Sequence, residues 1–204
     1  MPIKKPTILL VDDERAVREA LAKTLASSGY SVRLACDGKT ALKSFSERRP
    51  DIVLLDVMMP GMDGYAVCEA MRALDRETPI VFLSALDADV NQIRGLETGA
   101  DDYIAKSASE SLLLARIKKA LARADRFSKS EAPASFTKVQ ADIYRVLDSD
   151  RGRFFSFGEI FSAICGEGYT LGEGVVRVHI SNMRKRLPAG ETIKTKRGFG
   201  YALS

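Results

Sequence analysis

The sequence predicts a doubly wound α/β domain built on a five-stranded parallel sheet, followed by a smaller, mainly α-helical domain. In residues 1–126, short continuous apolar runs alternate with segments in which apolar residues recur at helical spacing. Such alternation favours a parallel sheet covered by helices on both faces. The remaining chain instead carries three helical patterns and then two short strands. We therefore predict domains at residues 1–126 and 136–204, joined by a polar linker at 127–135.

Each element of the first domain is predicted from its local pattern. Buried strands are short apolar runs that end at charged or turn-forming residues, whereas helices show apolar residues three or four positions apart. The predicted strands are Thr7–Val11, Ser31–Ala35, Ile52–Asp56, Pro79–Ser84 and Asp102–Ala105. The predicted helices are the segment from Val17 to Leu25, Gly38–Arg49, the segment from Val67 to Leu74, Asp87–Thr98 and Ser109–Arg126.

Polar side chains stand at the carboxyl ends of four predicted strands. Asp12 and Asp13 follow the first strand. Asp56 ends the third strand, Ser84 ends the fourth and Lys106 follows the fifth. Parallel strands bring these ends to one edge of the sheet, where open α/β sheets place their active groups. Any one of these residues alone could be a cap or turn residue, but all five together favour a functional site.

The chemistry of this set favours phosphoryl transfer. Three neighbouring carboxylates repel one another, and a divalent cation relieves that repulsion. Oxygen ligands with room for water suit Mg²⁺ better than zinc or copper. A hydroxyl and an ammonium group beside them can hold the oxygens of a phosphoryl group, and a carboxylate can accept that group as a nucleophile.

Three motifs make the first domain resemble the receiver domain of bacterial two-component response regulators, which has a flavodoxin- or CheY-like fold. The motifs are Val11–Glu14, Leu55–Gly64 and Gly99–Lys106. The resemblance implies that Asp56 accepts a phosphoryl group from a sensor histidine kinase.

The same resemblance assigns roles to the residues around the phosphoacceptor. It implies an Mg²⁺ site formed by Asp12, Asp13, Asp56 and the backbone carbonyl of Met58. It implies that Ser84 and Lys106 bind the phosphoryl oxygens. Tyr103 would be a switch residue that rotates inward as Ser84 shifts, although its position also suits a half-buried strand aromatic.

Two features of this domain depart from the resemblance. Relatives follow the lysine with Pro-Phe, where this chain has Ser107-Ala108, and that change bears on how Lys106 is positioned. Relatives also dimerise through the surface formed by the fourth helix, the fifth strand and the fifth helix. One of their cross-dimer ion pairs aligns with Gln92 and Leu112 and is therefore missing. The charged residues that remain for a homodimer are Asp101, Asp102, Arg116 and Arg123.

The second domain has the pattern of a winged helix-turn-helix. Thr137 can cap a first helix and Ser156 a second, and a third helix runs from Val175 to Leu187. Two short strands are predicted at 192–195 and 200–203. The whole net charge of +4 falls after residue 126, because basic and acidic residues are equal in number before it. This asymmetry indicates a nucleic-acid partner, although basic surfaces are often merely solvated.

Two motifs make this half resemble the effector domain of OmpR/PhoB-type regulators, namely Val178–Leu187 and Thr195–Tyr201. The third helix would then enter the major groove of double-stranded DNA, and the hairpin would contact the backbone or minor groove. The candidate DNA contacts are Arg177, Ser181, Asn182, Arg184 and Lys185 on the helix, with Lys196 and Arg197 in the hairpin. Arg177 stands where relatives carry an acidic residue, which would alter sequence preference. His179, the only histidine, is expected to be structural or to contact phosphate rather than to bind metal.

A further departure concerns the start of the effector domain. Relatives place a four-stranded antiparallel sheet between the linker and the first effector helix. The stretch between Arg126 and Thr137 is too short for such a sheet. We therefore predict a reduced effector domain without it.

The predicted function is a phosphorylation-controlled, DNA-binding transcriptional regulator rather than an enzyme. Two alternatives stay open. The reduced second domain could act mainly through protein–protein contacts with RNA polymerase or another regulator, or the chain could be a phosphate sink that loses its phosphoryl group without output. The sequence has no apolar run long enough to span a membrane, no signal-peptide pattern, and three widely spaced cysteines that match neither a disulfide framework nor a zinc motif. We expect a cytoplasmic bacterial protein with no membrane partner.

Overall fold

The computed structural model of the chain describes residues 5–85, 98–126, 132–165 and 173–204. The chain divides into two compact units, Met1–Arg123 and Ala124–Ser204. No helix in the described part of the chain is both long and apolar enough to cross a membrane.

The first unit contains a five-stranded, wholly parallel sheet. Its strands pair in the order β2-β1-β3-β4-β5. They are β1 (Thr7–Val11), β2 (Ser31–Ala35), β3 (Ile52–Asp56), β4 (Ile80–Ser84) and β5 (Asp102–Ala105). Every residue of β3 and β4 is buried, which explains why these two strands are continuous apolar runs. The predicted doubly wound fold is confirmed.

Four helices of this unit lie within the described residues. They are α1 (Arg15–Ser27), α2 (Gly38–Glu47), α3 (Gly64–Leu74) and α4 (Glu110–Arg126). Two of them start at aspartate caps, because Asp37 accepts from the Thr40 N–H and Asp63 accepts from the Ala66 N–H, each at 2.8 Å. The helix predicted at 87–98 lies almost entirely outside the described residues.

Two apolar cores pack on opposite faces of the sheet. Alternate residues of each central strand point to opposite faces, so Leu9 and Val53 belong to one core, whereas Leu10 and Leu54 belong to the other. The first core also holds side chains of α2 and α3, and the second holds side chains of α1 and α4. Because all five strands are parallel, their carboxyl ends lie along one edge of the sheet.

The described residues of the second unit form three helices that pack together, followed by a hairpin. Its elements are α5 (Lys138–Asp148), α6 (Phe157–Cys165), α7 (Glu173–Arg184), β6 (Ile193–Lys196) and β7 (Gly200–Leu203). The two strands pair antiparallel. One core of side chains from all three helices and both strands holds the unit together. At the start of α5, the Thr137 N–H donates to Gln140 Oε1 at 3.1 Å, which completes a capping interaction.

The second unit differs in detail from the prediction. Helix α7 ends at Arg184, before the predicted end at Leu187, because the Arg186 N–H bonds to Met183 O and tightens the last turn. A short bridge between Phe155 and Tyr201 adds a third extended segment beside the hairpin. At Gly200 the backbone φ is +130°, and a Cβ there would overlap the carbonyl oxygen of Phe155. Glycine is therefore required where the hairpin returns to the bundle.

Candidate functional site

Three carboxylates meet at the carboxyl edge of the parallel sheet. Asp12 and Asp13 follow β1, and Asp56 ends the neighbouring strand β3. One carboxylate oxygen from each lies within 4.8 Å of those of the other two. Asp12 is 0% exposed and Asp56 is 2% exposed, whereas Asp13 is half-buried. The sheet order thus brings together residues that are more than forty positions apart in the chain.

Lys106 joins this cluster from the end of β5. Its Nζ lies 2.8 Å from Asp12 Oδ2 and 2.8 Å from Asp56 Oδ2. The Lys106 N–H donates to the carbonyl oxygen of Ser84 at 2.7 Å, which anchors the base of the side chain to β4. The following turn is closed by the Ala108 N–H, which donates to Ala105 O at 2.9 Å. With Ser107-Ala108 in place of Pro-Phe, the lysine therefore still reaches both carboxylates.

The electrostatics of the cluster follow from burial and from this ammonium group. Burial raises the pKa of Asp56, while the hydrogen bond and charge of Lys106 act in the opposite direction. For Lys106, burial alone would lower the pKa, but hydrogen bonds to Asp12 and Asp56 outweigh it and raise the pKa overall. The lysine thus stays protonated and partly neutralises the buried carboxylates.

Backbone groups hold the carboxylates in place. The Glu14 N–H donates to Asp12 Oδ1 at 2.9 Å, and the Met58 N–H donates to Asp56 Oδ1 at 3.3 Å. The sequence prediction missed Arg18, whose Nη1 donates to the carbonyl oxygens of Asp12 at 2.5 Å and Asp13 at 3.3 Å. A basic residue one turn into the helix after an acidic pair was the available signal. Arg18 fixes the loop that carries both aspartates.

The other predicted residues of this site occupy neighbouring positions. Ser84 ends β4 and is fully buried, next to the strand that carries Asp56. Tyr103 lies in β5 with its side chain buried in the apolar core on one face of the sheet. Met58 is 63% exposed in the loop after Asp56. The structure therefore places Ser84 and Met58 at the carboxyl edge with Asp56, whereas the Tyr103 side chain lies in the apolar core.

The donor set fits a hard divalent cation. The acidic cluster offers oxygen ligands only, and such ligands suit Mg²⁺ rather than soft metals. Because two of the carboxylates are buried, a cation bound there would be weakly screened by solvent.

The described part of the second unit contains a basic groove. Its volume is about 610 Å³, and it lies between the start of α6, one face of α7 and the hairpin. Four of the predicted DNA contacts line it, namely Arg177, Arg184, Lys196 and Arg197. Ser181 is exposed on the same helix, α7, and Lys185 is exposed in the turn that follows it.

One of the predicted DNA contacts, Asn182, needs correction, and another, Arg184, has an additional structural role. Asn182 is 5% exposed, because α7 turns that position toward the interior of the unit, so its side chain does not reach the surface. Arg184 donates from Nε and Nη2 to Ile193 O at 3.0 and 2.8 Å, and from Nη2 to Thr195 Oγ1 at 2.6 Å. Arg184 therefore holds the hairpin against α7. His179 is buried, which agrees with a structural role.

Comparison with known families accounts for both units. The family described as the response regulator receiver domain matches residues 8–118. The family described as the C-terminal domain of transcriptional regulatory proteins matches residues 131–203. This chain belongs to the response regulators. The predicted family, fold class and class of function are confirmed.

Individual relatives support the same assignment. The response regulator MprA of Mycolicibacterium vanbaalenii is 35% identical to this chain, with 100% of the chain and 98% of MprA aligned. The BeF3-activated receiver domain of RstA from Klebsiella pneumoniae is 38% identical, covers 56% of this chain and 97% of its own, and superimposes with a TM-score of 0.55. A mutant of RitR covers 98% of this chain and 99% of its own at a TM-score of 0.80, but at 21% identity it supports the fold alone.

Membership in this family has two coarse consequences. A receiver domain implies a sensor kinase as partner, and the C-terminal domain implies DNA binding. The family consists of regulators and transcription factors rather than typical enzymes.

Three of the four charged residues of the predicted dimer surface form ion pairs within the response regulator itself. Asp101 Oδ2 lies 2.6 Å from Arg72 Nη2, and Asp102 Oδ1 lies 2.8 Å from Arg116 Nη1. All four side chains are nearly fully buried. The expectation that Asp101, Asp102 and Arg116 remain available for cross-dimer ion pairs is therefore wrong for this structure. Gln92 and the side chain of Arg123 lie outside the described residues.

The region before the effector helices is short. The alignment with MprA runs over 229 positions although this chain has 204 residues, so 25 aligned positions fall opposite gaps in this response regulator. Residues 132–137, the described part of the segment before α5, carry no strand. Phe136 is instead buried against Tyr144, with ring centroids 5.7 Å apart. An aromatic side chain thus closes this side of the helix bundle.

Proposed function

We propose that Asp56 accepts a phosphoryl group from a phosphohistidine of a sensor histidine kinase, and that this modification controls DNA binding by the second domain. The observation that carries the proposal is the position of Lys106 Nζ, 2.8 Å from both Asp12 and Asp56. A buried carboxylate at a strand end, beside a fixed ammonium and two further carboxylates, suits a phosphoacceptor.

The transfer step is a simple displacement. One carboxylate oxygen of Asp56 attacks phosphorus, the phosphorus–nitrogen bond to the kinase histidine breaks, and the released imidazole takes up a proton. Lys106 and Ser84 would hold the phosphoryl oxygens and stabilise the charge that they carry in the transition state. Bound Mg²⁺, held by Asp12, Asp13, Asp56 and the backbone carbonyl of Met58, would neutralise negative charge on the phosphoryl oxygens. The protein is itself the acceptor, so it is modified rather than turning over a substrate.

The groove of the second unit supports DNA as the output partner. Lys196 and Arg197 project from the hairpin and suit phosphate contacts, which give affinity without reading sequence. Arg177 and Ser181 lie exposed on α7 and suit contacts with base edges in the major groove. Asn182 is left out because it is buried.

Dimerisation is the proposed link between the two events. A phosphorylated receiver would pair with a second copy and place two effector domains on paired half-sites. If the dimer forms through the surface that contains β5 and α4, each buried ion pair made by Arg72 and Arg116 would stay intact or be replaced by a pair with the second copy. Breaking one of these pairs without a replacement would leave a buried charge without a partner. RNA polymerase would be the final partner at a promoter. Both the kinase domain and the chromosome lie in the bacterial cytoplasm, which is therefore the proposed location.

The test uses the full chain with acetyl phosphate and Mg²⁺ as the phosphoryl donor system. Intact mass should show one added phosphoryl group on the wild type and none on Asp56→Asn, whereas Asp150→Asn, in an exposed turn, should behave as the wild type. Affinity for a random-sequence duplex library, followed by sequencing of the bound fraction, should rise when the wild type or Asp150→Asn is phosphorylated, and should stay the same for Asp56→Asn treated in the same way.

Two outcomes would select the alternatives. A chain that is phosphorylated on Asp56 but binds no duplex, while retaining RNA polymerase or another regulator, would favour the protein–protein function. A chain that gains and loses the phosphoryl group without changing any binding would be a phosphate sink. The exposed basic hairpin argues against the phosphate sink.

A further inference from the structure

An exposed aromatic side chain stands at the tip of the hairpin. Phe199 is 60% exposed. It ends the turn between β6 and β7, which is closed by the Phe199 N–H donating to Lys196 O at 2.9 Å. Gly198, with a φ of +76°, lets the chain reverse there. The turn therefore presents the ring outward at a defined place.

The ring is held in position by a neighbouring cation. Lys196 Nζ lies 4.1 Å from the centroid of the Phe199 ring and 5.8 Å from the centroid of the Phe154 ring. The ammonium group thus sits beside both rings, in cation–π geometry. This contact orients Phe199 but covers only part of it, because most of its surface stays accessible.

Stabilisation of the hairpin alone does not explain this exposure. A packing role would bury the ring, as it buries Phe155 at the base of the same hairpin. A protein-docking role would call for a larger apolar patch. Among the described residues of the second unit, Phe199 is the sole large hydrophobic side chain that is exposed.

The surroundings of the ring fit a nucleic acid instead. Lys194, Lys196 and Arg197 are all exposed on the same hairpin, so cations flank the ring. Phosphates line both edges of the DNA minor groove, while the groove floor is formed by base edges and sugars. Proteins that enter this groove combine basic residues with apolar side chains that press between base steps.

We propose that Phe199 is an apolar wedge that contacts the DNA minor groove between phosphates bound by Lys196 and Arg197. This inference rests on the proposed DNA-binding function and adds a source of sequence preference to it. Alternating A·T sequence deforms easily at its T–A steps, and its minor groove lacks the guanine amino group. Phe199 should therefore favour such sequence without any hydrogen bond to a base.

The test measures affinity of the full chain for two probes, alternating poly(dA-dT) and alternating poly(dG-dC) duplexes. The wild type should prefer the first. Phe199→Ala should weaken binding to poly(dA-dT) about tenfold, the equivalent of partly burying an aromatic ring, and should bring the two affinities close together. Phe199→Leu, which keeps an apolar side chain but loses the cation–π contact, should retain most of the preference.

Salt dependence separates the wedge from the cations. Phe199→Ala should leave the slope of log affinity against log salt unchanged, because the ring displaces no counterions. Lys196→Gln should lower that slope by about 1 on both duplexes. Leu74→Ala, at an exposed apolar residue of the receiver outside the predicted dimer surface, is the matched control and should change neither the affinity nor the slope.

Two outcomes would overturn the inference in distinguishable ways. The inference is wrong if Phe199→Ala keeps the wild-type preference for poly(dA-dT). It is also wrong if Phe199→Leu loses as much of that preference as Phe199→Ala does. Failure of the wild type to bind either duplex would remove the proposed DNA-binding function and the wedge with it. Circular dichroism of each variant would show that the effector unit stays folded.

Discussion

Lys106 Nζ lies 2.8 Å from Asp56 Oδ2, so the last strand of the receiver sheet delivers a cation to the carboxylate that ends the third strand. The same ammonium reaches Asp12, and it is the shared counter-charge of both buried groups. Removing it should slow phosphoryl transfer to Asp56, because the acceptor site would lose a preorganised positive charge. We expect Lys106→Gln to lower the rate of modification by acetyl phosphate by about tenfold or more.

The control for that experiment is a lysine outside the site. Lys43 is exposed on α2, so Lys43→Gln should leave the rate unchanged. The two variants can be compared by intact mass at fixed times after donor addition. An undiminished rate in Lys106→Gln would show that the ammonium has no part in the transfer.

The buried ion pair between Arg72 and Asp101 leads to a prediction about the stability of the receiver. Arg72 Nη2 lies 2.6 Å from Asp101 Oδ2, and the same guanidinium donates to the carbonyl oxygens of Gly99 and Thr78, each at 2.7 Å. Arg72→Met would leave the buried carboxylate of Asp101 without this charge. We expect the receiver to lose about 3–5 kcal/mol in free energy of unfolding, the usual cost of breaking one side of a buried ion pair.

An exposed pair supplies the comparison. Arg15 and Glu19 form an i,i+4 pair on the surface of α1 with both side chains mostly exposed. Arg15→Met should leave the free energy of unfolding close to the wild-type value, because solvent screens an exposed pair. Urea titration of the full chain, with the receiver transition fitted separately, gives both values. Similar losses in the two variants would contradict the argument from burial.

A third prediction concerns pH. Burial raises the pKa of the Cys68 thiol from 9.0 to about 11. The folded receiver therefore disfavours the thiolate, and this contribution to stability is fully present below pH 9 and lost as pH rises toward 11. A rise of this size corresponds to about 2–3 kcal/mol. Urea titrations should show a loss of that order between pH 9 and pH 11 in the wild type.

Variants separate this thiol from other groups that titrate in the same range. Cys68→Ala should remove the loss of about 2–3 kcal/mol in free energy of unfolding between pH 9 and pH 11. This holds whatever the effect of the substitution on stability at pH 7. Cys36→Ala removes an exposed thiol and should leave the dependence unchanged. Equal pH profiles for all three proteins would rule out the buried thiol as the cause.

The sequence predicted those parts of the molecule that depend on local pattern and on strand order. Strands β3 and β4 could be predicted because they are buried on both faces and therefore appear in the sequence as continuous apolar runs. The parallel topology of the predicted sheet then placed Asp12 and Asp56 at the same edge. The side-chain partners of Arg72, Arg116 and Arg184 were not predictable in this way, because nothing in the local pattern says that a charged side chain folds back on its own chain. The prediction that Asn182 contacts DNA was wrong for a related reason, since a small polar residue on a basic helix can face either the solvent or the interior.

The last prediction concerns the close approach that fixes the hairpin to the bundle. A Cβ on Gly200 would overlap Phe155 O, and the φ of +130° is itself unfavourable for any other residue. Gly200→Ala should therefore break the Phe155–Tyr201 bridge and release the hairpin. Gly198→Ala is the matched variant, because Gly198 also has a positive φ, yet nothing lies within 4 Å of its Cβ position. We expect Gly198→Ala to cost about 1 kcal/mol of effector stability, and Gly200→Ala to cost several times more and to abolish duplex binding. Thermal unfolding and binding to alternating poly(dA-dT) provide the two measurements, and equal effects of the two substitutions would show that backbone conformation, rather than contact with Phe155, sets the requirement.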